Sequence, residues 1–480
     1  MKLSITHLRF IAFVIFLACL QTNGQENVKA VTSEQSQYEK ELSKLLDSLS
    51  NVTKVPSFSV SVVHKGRLVA SASTGYTDVE NGVHTTNESI FRLASVSKIV
   101  GASMLAELVI AGKLNPDAHI GNYVPNLDER YHQITIRQLL SHTSGMPHYQ
   151  IKDYDIDNKH YQSAQEALET LKGRSLLSYP GDKYHYSTHG YTLAGVIYEL
   201  VSKRALSKSL PDFIRRWTGK KTPVIEDIRN LHPNTSNLYS LSFGGVEKIA
   251  FSEKSYSIFG AGLSATASEL AYFGYEVLNK SRSNTDYEKL LFSPSLTNNG
   301  RAVATSTFHV GFGWRIGHDE QGRKVYHHAG ATPGARSILV LYPDEDLAIS
   351  ILSNARWISS IDKMAFALVD LYLNNVKPNA LKPGTTYTAT FGTATVTGKI
   401  SCNNATCYLK NENTPYTRWL NTFNSTGNHT DDWPIFSYSS KHGDRLLMVS
   451  KIGIRSFVGN RGYYQANVRE DKTYSLKISF

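Results

Sequence analysis

Short β-branched runs open and close the first 375 residues, and helical patterning fills the stretch between them. "SFSVSVVHKGRLVASAST" alternates around a "HKGR" turn, the pattern of a β-hairpin. Strand signals return only late, in "VGFGWRIG", "ARSILVLYP" and "LAISILSNA", separated by turns such as "PDED". Between them, helical spacing runs from about Ser97 to Ala111, around Ile136 to Leu140, and from Tyr191 to Arg204. One amphipathic helix is expected ahead of the hairpin, Ser33 to Leu49, and another after the last strand, Ile358 to Leu373. Two ends that supply strands to one core must meet. The expectation is therefore an α+β domain whose antiparallel sheet is assembled from both ends, with helices packed on it and a largely helical middle.

Beyond that domain the composition changes. "NNVKPNALKPG" reads as a linker over 377–383, and the chain from 384 to 480 becomes rich in Thr, Tyr, Asn and Ser. "TYTATFGTATVTGKI" and "RLLMVSKIGIRSFVG" alternate clearly, so a small C-terminal β-rich domain is expected. At 480 residues, one large and one smaller domain is also the natural division.

The first 24 residues have the order of a secretory signal peptide: Lys2 and Arg9, an apolar run from Phe10 to Leu20, then "TNG". That run is too short for the roughly 20 residues a membrane span needs. The domain that follows is read as 25–376, in a secreted protein. Cysteine usage agrees, because Cys19 leaves with the signal and Cys402 and Cys407 can close the loop "CNNATC" in an oxidising compartment. Sequons stand at Asn51, Asn87, Asn234, Asn279, Asn404, Asn424 and Asn428. The net charge of +10 falls to +8 once Lys2 and Arg9 are removed, since residues 1–24 hold no acid. The remaining basic residues are scattered. Without basic runs interleaved with aromatics they describe a solvated surface, not a nucleic-acid interface.

Ser95 and Lys98 in "FRLASVSKIV" stand three apart where a helix begins, which puts both on one face about one turn apart. A neutral amine there can take the serine proton. Alone, such a pair usually marks a helix-start serine and a surface lysine. Two further stretches give it company: "YPGDKYHYSTHGYTLAG", where Tyr186 opens a Tyr-Ser-Thr triplet ahead of a helix, and "YHHAGATPGARSILVLYP", which sets His328, Ala329 and Gly330 at the start of a strand. With "LLSHTSGMP" and "GAGLSATASELAYFG", these motifs resemble the serine β-lactamase and penicillin-binding-protein superfamily, most closely its class C-like, β-lactamase-related (LACTB-like) esterases and peptidases.

The resemblance implies a serine hydrolase that cleaves an ester, amide or peptide bond through an acyl-enzyme, with no metal or organic cofactor. Ser95 would be the nucleophile, Lys98 its base, and Tyr186 the phenol or phenolate that carries the proton to the leaving group. Neighbouring cations would lower that phenol from about 10 towards neutrality. Backbone N–H groups of Ser95 and Ala331 would form the oxyanion hole, each worth about 3 kcal/mol. Thr188, His328 and Gly330 would line the substrate cleft; His327 and His328 point to opposite faces of a strand, and motif spacing selects His328. Ser144 reads as a turn or cap residue.

Two departures qualify the resemblance. Thr188 stands where many members have asparagine, exchanging a donor and an acceptor for one short hydroxyl and so altering substrate preference. His328 replaces a lysine, and an unperturbed histidine is only roughly one quarter protonated at pH 7. It anchors a β-lactam carboxylate poorly, so esters or peptides are the better substrates. The rival reading is an inactive member of the fold, kept as a binding or self-assembling protein.

Overall fold

In the computed structural model the described residues are 37–411 and 433–479, apart from 243, 359–360, 375–376, 380, 392–393, 404–405, 441–442, 451–452, 461–462 and 470–471. The signal segment and the sequons at Asn404, Asn424 and Asn428 lie outside the described residues. The sequon asparagines Asn51, Asn87, Asn234 and Asn279 are all exposed.

The two ends of the first domain do meet in one antiparallel sheet. Ser57–His64 pairs with Arg67–Asp78 on one side and with Leu347–Ser353 on the other, with Phe58 opposite Ser353 and Val62 opposite Ile349. The sheet continues through Ala335–Tyr342 and Lys324–Thr332 to the short strands Arg315–His318 and His309–Val310. "VGFGWRIG" is thus broken, not continuous. Gly311 N donates to the Trp314 carbonyl at 2.8 Å and closes a turn between the two strands.

Alternation along the central strands sends Ile338, Val340, Ile349 and Ile351 to one face and Leu339, Leu341, Ala348 and Leu352 to the other. The first face is covered by a helix over residues 37–53 and by Ile361–Leu373, through Leu42, Leu45, Leu46, Leu49, Met364 and Leu368. The N-terminal helix runs four residues past its expected end and stops where Lys54 turns left-handed at φ 59°. The second face is covered by Ala267–Ser283 through Leu270, Phe273 and Val277. Beyond it lie Ser97–Ile110, Ile136–Leu140 and His189–Ser202, the helical middle. Strands buried on both faces explain why these runs read as continuously apolar.

The C-terminal region closes on itself. Thr386–Phe391, Ala394–Asn403, Thr406–Asn411, Trp433–Ser440, Gly443–Ser450, Gly453–Asn460, Tyr463–Arg469 and Lys472–Ser479 each pair antiparallel with the next, and the last pairs with the first, Ser479 opposite Thr386. This is an eight-stranded up-and-down barrel, and closure removes the edges an open sheet of that length would expose. Residues 377–379, expected to be linker, instead form a strand, Lys377–Asn379, that pairs with Ser437–Ser439. Cys402 and Cys407 face each other across the second hairpin and are joined as a disulfide.

The barrel packs on the first domain. Phe436, Tyr438, Leu447, Val449 and Ile454 join the core that holds Leu368 and Leu371. Beside them Arg445 Nε donates to Asp370 Oδ2 at 2.6 Å, and Asp370 also meets Arg323 at 3.2 Å. Among the described residues no helix is long and apolar enough to cross a membrane.

Candidate active site

The Ser95 turn is held by its neighbours, not by its own sequence. Leu93 N donates to the Leu263 carbonyl at 2.8 Å, and Ser337 Oγ donates to the Leu93 carbonyl at 2.6 Å. From the next turn Ser97 Oγ accepts from Leu263 N at 3.1 Å. Between these clamps Ala94 sits left-handed at φ 48°, a conformation that costs a non-glycine residue roughly 1–2 kcal/mol. The kink leaves Ser95 in a single turn of 3-10 helix, Ala94–Val96, directly ahead of the helix Ser97–Ile110.

One turn on, Lys98 is fully buried. Its Nζ lies 3.3 Å from Ser95 Oγ, 3.1 Å from Thr188 Oγ1 and 2.7 Å from the Gly260 carbonyl. Burial, with a further contribution from the positive charge of Arg315, holds the amine well below its usual range. No carboxylate is among its hydrogen-bonding partners to oppose that shift. Gly260 is where it must be: a side chain there would run into Ser257 and the Thr188 methyl group.

Tyr186 completes the group, its hydroxyl beside Ser95 and its ring 5.0 Å from Lys98 Nζ. Here the structure corrects the sequence reading. Burial raises the phenol above its ordinary value, and the opposing effects of Arg315 and Ser95 do not outweigh it. The same burial holds the amine of Lys98, the cation expected to pull it down, well below its usual range. Ser95 and Lys98 therefore meet a phenol, not a phenolate.

The "SHTSG" and "YST" blocks prove to be one unit. The His142 ring lies 4.2 Å from that of Tyr186, and its Nδ1 accepts from Ser187 N at 3.1 Å. His148 Nδ1 accepts from Thr188 N at 3.3 Å, and its ring stands edge-on to Tyr186 at 5.1 Å. Burial and the nearby Lys98 push His148 down to about 4, and burial likewise holds His142 well below its normal range. Both rings are neutral acceptors that fix the triplet's backbone. Ser144 is a turn residue, its Oγ accepting from Met146 N at 3.3 Å.

His328 faces the cleft with its ring 6.3 Å from Tyr186, while His327 points the other way, towards Phe308 and Phe366. Burial, then the charges of Arg315 and Lys98, hold His328 well below the usual imidazole range. It is neutral at pH 7, so the quarter-charge of a free imidazole overstates its pull on a carboxylate. Gly330 brings its strand against the nucleophile; a Cβ built there lies 3.1 Å from Ser95 N and collides with the Leu93 carbonyl. Ala331 follows it, directly opposite Arg336. The structure thus gathers Ser95, Lys98, Tyr186, Thr188, His328 and Gly330 around one cleft. Sequence reasoning missed Gly260, Ser97, Ser337 and Arg315, whose places depend on distant strands and carry no local pattern.

Comparison with known proteins agrees with this geometry. The family model described as Beta-lactamase matches residues 42–369. Penicillin-binding protein 4* of Bacillus subtilis is 25% identical over 307 residues, 60% of this chain and 66% of that protein. The mouse (Mus musculus) serine beta-lactamase-like protein LACTB, mitochondrial, is 37% identical over 134 residues, 27% of this chain and 24% of that protein. Each match spans less than two thirds of the relative's length. The octameric penicillin-binding protein homologue from Pyrococcus abyssi, 19% identical, superposes with a TM-score of 0.57 over 93% of this chain and 99% of that one. With the family model spanning well over half its length and the cleft motifs drawn together in space, the chain belongs to the Beta-lactamase family, within the serine β-lactamase and penicillin-binding-protein superfamily.

Proposed function

We propose that the protein is a secreted serine hydrolase that opens an ester, amide or peptide bond through an acyl-enzyme on Ser95. The observation that carries the reading is a buried Lys98, its amine held well below its usual range and placed 3.3 Å from Ser95 Oγ. The amine takes the Ser95 proton as Oγ attacks the carbonyl. Tyr186, protonated, gives its proton to the leaving group and recovers one from Lys98, so the product carries the tyrosine's proton and the serine's replaces it on Tyr186. Water repeats the sequence in reverse to free Ser95. The oxyanion would rest on the N–H groups of Ser95 and Ala331, with Thr188, His328 and Gly330 lining the substrate. A fluorophosphonate probe should form an adduct that mass spectrometry places on Ser95. An unlabelled protein, or a label elsewhere, sinks the assignment and favours the rival reading of an inactive binding protein.

Substrate preference follows from His328. A buried neutral imidazole gives a β-lactam carboxylate no cation, so simple esters should turn over faster than penicillins. A protein with the reverse order would show that another group supplies the charge. Arg315 tunes the base. Its positive charge helps hold Lys98 deprotonated, so Arg315→Ala raises the amine's pKa. Because the neutral amine is the working form, the acid limb of kcat/KM should move to higher pH. A limb that stays or moves down would mean Lys98 is not the group that titrates.

A further inference from the structure

Tyr179, Leu296 and Leu177 are 81%, 59% and 57% exposed, more than any other large apolar side chain among the described residues. Exposed apolar residues scattered singly need no explanation. These three share two loops that are bonded to each other. "YPGD" closes a tight turn, Asp182 N donating to the Tyr179 carbonyl at 3.2 Å, with Pro180 in second place and Gly181 at φ 88° in third. Asn298, on the loop of Leu296, locks that turn. Its N donates to the Gly181 carbonyl at 2.9 Å, and its Nδ2 donates to the Pro180 carbonyl and to Asp182 Oδ1 at 2.8 Å each.

The turn is also sewn to the "SHTSG" block beside the cleft. Leu177 N donates to the Gly145 carbonyl and Gly181 N to the Thr143 carbonyl, both at 2.7 Å. His185 N donates to the His142 carbonyl at 2.7 Å, and the His142 ring lies 4.2 Å from that of Tyr186. Tyr184, half-buried, sets its ring edge-on to His142 at 5.8 Å. At roughly 3.4 Å per residue, the chain from Gly181 to Tyr186 keeps the turn within ~17 Å of the catalytic tyrosine.

We propose that Leu177, Tyr179 and Leu296 form an apolar lip that binds a hydrocarbon chain on the leaving group, so that the preferred substrates are esters or amides of long-chain alcohols or amines. The proposal rests on the Ser95 acyl-enzyme reading and deepens it.

The side of the substrate follows from the proton's route. Tyr186 protonates the leaving atom, so that atom lies at the phenol, and the segment running back from Tyr186 through Tyr184 leads to the lip. The acyl group stays on Ser95, whose backbone is pressed against Gly330. The size of the lip chooses the occupant. Three such side chains offer on the order of 400 Å², about half of the ~800 Å² per partner that a stable protein interface needs. Asp182, Asn298 and Asn299 are exposed on the same loops, and no other exposed large apolar residue there widens the patch towards a membrane-sized face. A single chain fits that area. Because both loops are held by backbone bonds, little is left to order when the chain binds. Full burial of a methylene is worth about fourfold in affinity, and a lip covers one side only, so about twofold per methylene is expected.

The test uses two series of esters on the purified protein, all below their micelle-forming concentrations. One lengthens the alcohol from butyl to decyl over a constant acetyl group; the other lengthens the acyl group over a constant methyl alcohol. In the alcohol series kcat/KM should rise about twofold per methylene, roughly 50-fold from end to end, while the acyl series stays flat. Combining Leu177→Ser, Tyr179→Ser and Leu296→Ser should flatten the alcohol series, with a deficit that grows with chain length to at least about tenfold on the decyl ester. Tyr179→Ser alone, at the most exposed of the three, should remove a third or more of the slope and carries the test if the triple variant does not fold. An unchanged slope in these variants, or a slope confined to the acyl series, overturns the lip. So does a wild-type rate that rises only once the ester forms micelles, which would assign the patch to a lipid surface. Fluorophosphonate labelling keeps the two readings apart: label on Ser95 without a chain-length slope sinks the lip alone, whereas a wild-type protein that takes no label sinks the acyl-enzyme reading and the lip with it.

Discussion

Ser95→Ala and Lys98→Met are each expected to remove on the order of 10⁶ of the rate, and the double variant should be no slower than either alone. The reason is that one proton transfer needs both groups. Without Oγ there is nothing to acylate; without the amine there is no base in contact with Oγ, because Tyr186 is held as a phenol by its burial. His142 and His328 do not substitute. Each is buried and neutral, and their hydrogen bonds run to the backbone, to Ser187 and to Ala329. Methionine fills the lysine's space without leaving a hole, though it strands the Gly260 carbonyl and Thr188 Oγ1, so a loss of stability of about 1–3 kcal/mol should accompany it. Rates for the two singles and the double, with folding checked by chemical denaturation, decide the matter. Additive losses would mean that Lys98 acts in a step separate from the serine's, and Lys98→Met with near-normal labelling would shift the base role to Tyr186.

The parts of this site that were legible in the sequence are those that travel in motifs. Ser95 and Lys98 share a helix start, Tyr186 and Thr188 share a helix entry, and His328 and Gly330 share a strand. Alternation also separated His327 from His328 correctly. The fold was legible at the same level, because the hairpin near Ser57 and the late strands had to bury matching apolar faces. What stayed hidden is what depends on distance through space. Gly260 meets Lys98 across 162 residues, and Ser337 meets Leu93 across 244. Tyr186's direction of titration was misjudged for the same reason: sequence shows the neighbouring charges but not the burial that outweighs them. Barrel closure follows the same rule, since the meeting of Thr386 and Ser479 is a property of strand tilt and register that no local pattern carries.

Gly330→Ala should cost at least about 100-fold in acylation while the chain still folds. The added Cβ would sit 3.1 Å from Ser95 N and well inside contact distance of the Leu93 carbonyl and Ser337 Oγ. Two of those three atoms are backbone of the nucleophile turn, so the methyl group cannot be absorbed by rotating a side chain. Either the strand Lys324–Thr332 lifts away or the turn at Ala94 yields, and both move Ser95 relative to Lys98 and Ala331. A misplacement of about 1 Å at a reacting group is enough for a 100-fold loss. Stability should fall by a smaller amount, about 1–3 kcal/mol, the usual cost of overpacking. The strand is registered against Ala335–Tyr342 by seven residue pairs, so it should shift without leaving the sheet. Measuring labelling rate and unfolding free energy on the same variant separates the two effects. A rate loss no larger than the lost stability would reduce Gly330 to a packing residue, whereas a fast-labelling, fully stable alanine variant would show that the strand is not pressed against the nucleophile at all.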